Sequence, residues 1–198
     1  MRGVDVSEPG RLIYVVGASG AGKDSVLRWV RQRHPSGVTF AHRYITRPAE
    51  SGGENHVALS EVEFATRLAA GAFALWWEAN DLHYGIGSEI ALWQAAGLDV
   101  VINGSRAHLI QALASHPDLL PVLITAPVGH IACRLAARGR EDVAAQSERI
   151  SRNASLAATS VPGMVVIDNG GDLGNAGLAL MRVLAREDDG AYHAAGHR

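Results

Sequence analysis

Four stretches of the chain are apolar almost without interruption: residues 11–16 (RLIYVV), 98–102 (LDVVI), 120–125 (LPVLIT) and 164–168 (MVVID). Runs this short, β-branched and lacking polar alternation predict strands covered on both faces. Between them the apolar spacing changes. Val26, Leu27 and Val30 share one face of residues 24–34, which end at Pro35, and helical spacing also marks residues 105–115, 128–138 and 173–186. Strands and helices in alternation predict a parallel, helix-covered sheet in three layers, an α/β fold.

Residues 42–87 break this rhythm. They hold Trp76 and Trp77, with Trp93 just beyond, and read as a lobe inserted into the α/β frame. Within the lobe, residues 60–71 predict a capped helix, because Ser60 is followed by Glu63 as in a capping box and Phe64 and Leu68 fall on one face. There is no internal repeat and no low-complexity linker. The expected organisation is one domain over residues 11–185, with its frame in 11–41, 88–136 and 153–185, followed by a flexible tail at 186–198 that has no periodicity.

Composition narrows the function classes. In 198 residues, 47% are hydrophobic and 19% charged, as in an ordinary globular protein. The formal charge of -2 leaves no global basic field to hold nucleic acid, so any anion site must be local. No apolar run approaches a membrane span, and residues 1–10 lack the apolar centre of a signal peptide. The single cysteine, Cys133, has no partner for an intramolecular disulfide, which suits a reducing compartment. A cytoplasmic protein is expected, without membrane or nucleic-acid partners; a homo-oligomer is left open.

Directly after the first apolar run comes Gly17-Ala18-Ser19-Gly20-Ala21-Gly22-Lys23, the G-x-x-x-x-G-K part of a phosphate-binding loop. A strand before it and a helix after it are the setting in which main-chain N–H groups and a helix N-terminus can wrap a phosphate. Lys23 would then place its ammonium at the transferring phosphate. Where a serine or threonine commonly serves Mg²⁺, this chain has Asp24, followed by Ser25. Two readings of Asp24 stand: a metal ligand, directly or through water, or a residue that caps the helix while Ser25 or waters complete the metal shell. ATP and Mg²⁺ are the expected cofactors.

The loop, taken with Tyr44-Ile45-Thr46-Arg47-Pro48, Gly52-Gly53-Glu54-Asn55, Tyr84-Gly85 and Arg138-Gly139-Arg140-Glu141, makes residues 11–185 resemble the guanylate kinase fold. In that family a T-T-R-x-P-R segment clamps the acceptor phosphate, and a tyrosine before a glycine reaches the same group. Thr46-Arg47-Pro48 matches the clamp one residue short, and Tyr84 matches the tyrosine. The second arginine is missing, since Ala49 and Glu50 follow Pro48; Arg43 is the nearest replacement for its charge. The glutamate that holds the base falls on Leu75, and the polar residue beside the Tyr-Gly pair falls on Ile86 or Gly87, so a purine acceptor is disfavoured.

His42 to Pro48, Glu54-Asn55-His56 and Val101-Ile102-Asn103-Gly104-Ser105-Arg106 are similar to one branch of that fold, the ribose 1,5-bisphosphate phosphokinases. The resemblance implies ATP-dependent phosphorylation of the 1-phosphate of ribose 1,5-bisphosphate to 5-phosphoribosyl 1-diphosphate, a step linked to phosphonate breakdown. The partner is then a small phosphorylated sugar, met by Arg43, Arg47, His56, Tyr84, Asn103 and Arg106, with residues 42–87 as acceptor-binding lobe. Residues 137–152 become a lid whose Arg138, Arg140 and Arg149 act with Lys23 on the transferring group. Arg106 is expected to start a helix. The Asp168-Asn169 pair either flanks the adenine or closes a loop. Two alternatives remain at this stage: a nucleoside monophosphate kinase acting on GMP, and a non-catalytic interaction module of the same fold.

Overall fold

The computed structural model describes residues 8–49, 56–137 and 161–187. Its central sheet is five-stranded and parallel, in the order β2-β7-β1-β8-β9. The strands are β1 (Leu12–Gly17), β2 (Val38–Phe40), β7 (Asp99–Asn103), β8 (Leu120–Thr125) and β9 (Val165–Asp168). The four apolar runs read from the sequence are β1, β7, β8 and β9. The sheet's edge strand β2 was not expected, because three residues carry too little pattern to stand out.

Alternation along β1 divides the core. Ile13 and Val15 point to the face covered by α1 (Lys23–Arg31) and α6 (Leu173–Leu184), through Val26, Val30, Ala176 and Leu180. Leu12, Tyr14 and Val16 point to the other face, into a core shared with α3 (Ile90–Ala95), α4 (Leu109–Ser115) and a second sheet. α5 (Val128–Ala137) follows β8. Every side chain of β1 from Leu12 to Val16 is buried, which is why that run shows no polar positions.

The second sheet lies within residues 42–87. It has four strands in the order β4-β3-β6-β5, namely β3 (Arg43–Ile45), β4 (His56–Ala58), β5 (Phe73–Ala79) and β6 (Leu82–Gly87). β6 runs antiparallel to both β3 and β5, and β4 runs parallel to β3. α2 (Glu61–Ala69) is capped as its sequence indicates, with Ser60 Oγ accepting the Glu63 N–H at 3.2 Å. Ile45, Leu75, Trp77, Tyr84 and Ile86 join the core beneath β1 and β7, which fixes this sheet to the frame.

Two expectations are corrected here. The helix anticipated at 105–115 begins only at Leu109, so Arg106 sits in the turn before it, where the Leu109 N–H bonds to the Arg106 carbonyl at 3.2 Å. The helix expected over residues 24–34 ends at Arg31, and His34 adopts φ 45 in the turn that follows. Arg138, Arg140, Arg149, Glu54, Asn55 and the tail from residue 188 lie outside the described residues, as does the side chain of Cys133. Among the described residues no helix is long and apolar enough to cross a membrane.

A buried ion pair locks the end of the frame away from the phosphate loop. Asp99, 5% exposed, accepts Arg11 Nε at 2.9 Å and an Arg11 terminal nitrogen at 2.6 Å. The same guanidinium donates to the Val183 and Leu184 carbonyls at 3.1 and 2.9 Å. One side chain thereby joins β1, β7 and the last turn of α6, whose terminal carbonyls have no partner within the helix.

Candidate active site

Gly20 and Gly22 take φ of 87 and 86, a left-handed conformation open to glycine at little cost. These two residues turn the chain between β1 and α1, so that residues 17–23 curl around an open space. Gly22 is also squeezed from behind, since a Cβ there would lie 2.3 Å from Asn169 Nδ2. Asn169, 2% exposed, donates to the Ala21 carbonyl at 2.7 Å. Arg134 donates to the same carbonyl at 3.3 Å and to the Asn169 carbonyl at 3.0 Å. The loop is thus held from its outer side by residues of α5 and the β9–α6 connection.

Lys23 opens α1, and its ammonium donates to Asp24 Oδ1 at 3.0 Å and to Asn103 Oδ1. Asn103 Nδ2 in turn donates to Asp24 Oδ1 at 3.0 Å. Burial opposes ionisation of Asp24, but the Lys23 charge and hydrogen bond, the Arg43 charge and the Asn103 hydrogen bond outweigh it and bring the pKa down to about 2. Asp24 is therefore a carboxylate at neutral pH, with its side chain 49% exposed. The N-cap of α1 is Gly22, without any side-chain cap bond, so Asp24 acts in the first turn through charge and not as the capping group weighed from the sequence.

A cavity of about 420 Å³ joins the phosphate loop to the second sheet. Gly17, Ala18, Ser19, Gly20, Gly22, Lys23 and Asp24 line one end, and Arg43, Arg47, Tyr84 and Arg106 line the other. The volume lies within the usual range for small-molecule sites. The Arg43 guanidinium stands 5.1 Å from the Tyr84 ring centre, in cation–π contact. Arg47 Nε is buried with no hydrogen-bond partner among the described residues, and burial lowers the Arg106 pKa from its ordinary value. Both features are costs that a bound anion would relieve.

Some sequence candidates do not reach the cavity wall. Asn103 acts on Lys23 and Asp24 from the end of β7. His56 Nδ1 lies 3.3 Å from an Arg47 terminal nitrogen, so His56 supports the arginine. Ala21 is fully buried, Ser25 is the third residue of α1, and neither lines the space; His42 is exposed and lines a separate cavity with Arg31, His34 and Phe40. Leu75, and Ile86, which with Gly87 is one of the two candidates for the second base-reading position, pair across β5 and β6 and are buried in the core at 3% and 0% exposure.

Other site residues escaped the sequence reading. Trp77, Ala79 and Asn80 line the cavity from the β5–β6 hairpin, whose turn residues Asn80 and Asp81 take φ of 50 and 57. Two aromatic-rich runs separated by Asn-Asp were the available signal. Arg134 offered none, because its contacts come from residues far along the chain.

The residues fit a Mg²⁺-nucleotide. Left-handed glycines open the loop, a lysine stands at its end, and an ionised, half-exposed carboxylate lines the same space, a hard oxygen donor of the kind Mg²⁺ takes.

No protein-family model matches the chain. A solved guanylate kinase from Anaplasma phagocytophilum superposes with a TM-score of 0.71, covering 91% of this chain and 87% of its own, at 14% identity. That likeness establishes the fold, a P-loop α/β kinase architecture of the guanylate kinase type. Curated relatives are nearer in sequence. The ribose 1,5-bisphosphate phosphokinase PhnN of Desulfomicrobium baculatum is 52% identical over 172 residues, 86% of this chain and 91% of the relative. Those of Chromobacterium violaceum and Psychromonas ingrahamii are 52% and 45% identical, covering 88% and 90% of this chain and 94% and 91% of theirs. Identity at this level over nearly the whole length places the chain in the ribose 1,5-bisphosphate phosphokinase family, to which it belongs.

Proposed function

We propose that this enzyme transfers the γ-phosphoryl group of ATP to the 1-phosphate of ribose 1,5-bisphosphate, yielding 5-phosphoribosyl 1-diphosphate and ADP. One observation carries the reading at the site itself. A single cavity runs from a phosphate loop to a cluster of three arginines and a tyrosine, while Leu75 and Ile86, where a base would be read, are turned into the core. Cations at both ends, with apolar side chains at the two positions compared with the family's base readers, suit a small, doubly phosphorylated acceptor. For GMP the site would have to leave the base edge unpaired, and an interaction module has no use for the intact Lys23 pocket.

In the forward step an oxygen of the acceptor phosphate forms a bond to the γ-phosphorus as the bond to the β–γ bridging oxygen breaks. No general base is required, because the acceptor is anionic at neutral pH. The main-chain N–H groups of residues 17–23 hold the nucleotide phosphates, and Lys23 exchanges Asp24 and Asn103 for them. Arg43, Arg47 and Arg106 hold the acceptor, with His56 bracing Arg47 and Tyr84 bracing Arg43. Asp24 would hold Mg²⁺, directly or through water, with Ser25 nearby in sequence; the ion supplies charge neutralisation. Arg138, Arg140 and Arg149 belong to the segment assigned as a lid, residues 137–152, and would add guanidiniums to the transferring group and exclude water. Residues 42–87 serve as the acceptor lobe, and the reaction belongs in the cytoplasm, where ATP is available.

The deciding experiment offers ribose 1,5-bisphosphate and GMP separately, with ATP and Mg²⁺, and identifies the products by ³¹P NMR. A diphosphate at C1 of the sugar is the expected product. Faster turnover of GMP would overturn the acceptor assignment.

A further inference from the structure

Tyr14 lies in the middle of the central strand β1 and is fully buried, yet it carries a hydroxyl. In a fully apolar core a phenylalanine would fill that space, so the hydroxyl's bonds indicate what it does. It accepts the Ser105 N–H at 3.0 Å, and it lies 3.4 Å from the Ser105 carbonyl and 3.3 Å from His108 Nδ1. Its ring also occupies the room a side chain at position 104 would need, because a Cβ on Gly104 would come within 2.4 Å of the ring. The β7–α4 turn that carries Arg106 is therefore seated on one tyrosine.

The same tyrosine ends a column of rings that leads back to the cavity. His108 packs on Trp77 with centroids 5.3 Å apart, and Trp77 is stacked on Tyr84 at 5.5 Å with planes 1° apart. The Arg43 guanidinium covers Tyr84. Burial pushes the Tyr14 hydroxyl up to about 12 and lowers the His108 pKa, so both groups are neutral at ordinary pH, and the imidazole tautomer sets which of the two donates across their contact. Neither residue lines the cavity.

We propose that Tyr14 is a positioning residue for the acceptor: its hydroxyl fixes the main chain of Ser105, and through it Arg106, at the acceptor end of the cavity, without acting on the nucleotide end. The inference rests on the assignment of Arg106 to the acceptor. It goes beyond that assignment by placing the control of Arg106 in a side chain that touches no substrate.

The test is a steady-state comparison of Tyr14→Phe, Gly104→Ala, Arg106→Gln and the double variant Tyr14→Phe/Arg106→Gln, each checked for folding by circular dichroism. Tyr14→Phe keeps the ring and should raise the KM for ribose 1,5-bisphosphate roughly fivefold, the worth of one hydrogen bond, with the KM for ATP changed by less than about twofold. Gly104→Ala forces the turn off the ring and should raise the acceptor KM as well, with an added effect on the KM for ATP because Asn103, beside it in the chain, bonds Lys23. In the double variant, Tyr14→Phe should add less than about twofold to the effect of Arg106→Gln, because the two share one contact. If Arg106→Gln raises the acceptor KM and Tyr14→Phe does not, or Tyr14→Phe raises both KM values equally, the positioning role is wrong and the site assignment survives. An unchanged acceptor KM in Arg106→Gln removes both.

Discussion

Lys23 is held by Asp24 and by Asn103, and the three side chains make a closed set of hydrogen bonds. Replacing Lys23 by methionine removes the ammonium and leaves a stem of similar shape. The expected result is a loss of at least about a hundredfold in kcat, with a melting temperature lowered by no more than a few degrees, read by coupled assay and thermal denaturation. Asp24→Asn keeps size and hydrogen bonding but removes the charge. It should raise the Mg²⁺ concentration for half-maximal rate by roughly tenfold, the scale of a perturbed metal environment, while an unchanged metal dependence would reduce Asp24 to an anchor for Lys23. The pH dependence has a definite sign. With a folded-state pKa lowered from 3.8 to about 2, the carboxylate's contribution to stability is complete above its unfolded value and is lost as pH falls through the folded one. The stability gap between the native protein and Asp24→Asn should therefore be flat from pH 5 to 8 and close below about pH 4, as chemical denaturation across that range would show.

At the scale of elements, what matters is how few residues join the frame to the site. Gly22 is left-handed and pressed against Asn169, so Gly22→Ala meets both backbone strain and a clash. It should raise the KM for ATP by at least about tenfold, with the acceptor KM little changed, since strain of this kind costs on the order of 1–3 kcal/mol and sits in the nucleotide loop. Asp99 does the opposite work, far from the chemistry. Asp99→Asn leaves the Arg11 guanidinium without its counter-charge and should destabilise the protein by about 3 kcal/mol, lowering its melting temperature by roughly 10 °C with KM values unchanged. The elements themselves were unevenly legible. β1 is apolar because it is buried on both faces, β7 and β8 are largely so, and α2 announces itself by its capping box; β9, at the sheet edge, keeps its apolar run although Val166 is 58% exposed, so the expectation of cover on both faces fails there. β2, β3 and β4 have three residues each and no usable period. β5 and β6 were passed over although Asn80-Asp81 marks their turn, because the aromatic run around Trp76 and Trp77 was read as lobe and not as a hairpin.

Across the whole molecule, two cores on opposite faces of one sheet divide the labour. The core under α1 and α6 lies behind the glycine-rich loop, and the core under the second sheet lies behind the cavity wall that carries Arg43, Arg47 and Tyr84. On the proposed reading a purine base would meet apolar side chains at the positions compared with the family's base readers, since Leu75 and Ile86 belong to the second core. The ratio of kcat/KM for ribose 1,5-bisphosphate over GMP should accordingly exceed about a hundredfold, and competition assays with both acceptors would measure it. The sequence by itself determined the layered α/β class, the phosphate loop and the arginines at 43 and 47, because each rests on local pattern: buried-strand composition, glycine spacing, and side chains adjacent in the chain. It also carried the family, through motifs that keep their order. Only the tertiary structure decided that Arg106 belongs to a turn and not a helix, that Asn103 holds Lys23, and that Arg134 and Asn169 brace Ala21. Those contacts join residues 80 to 148 positions apart, and no local pattern records which distant side chain packing will bring within hydrogen-bond reach.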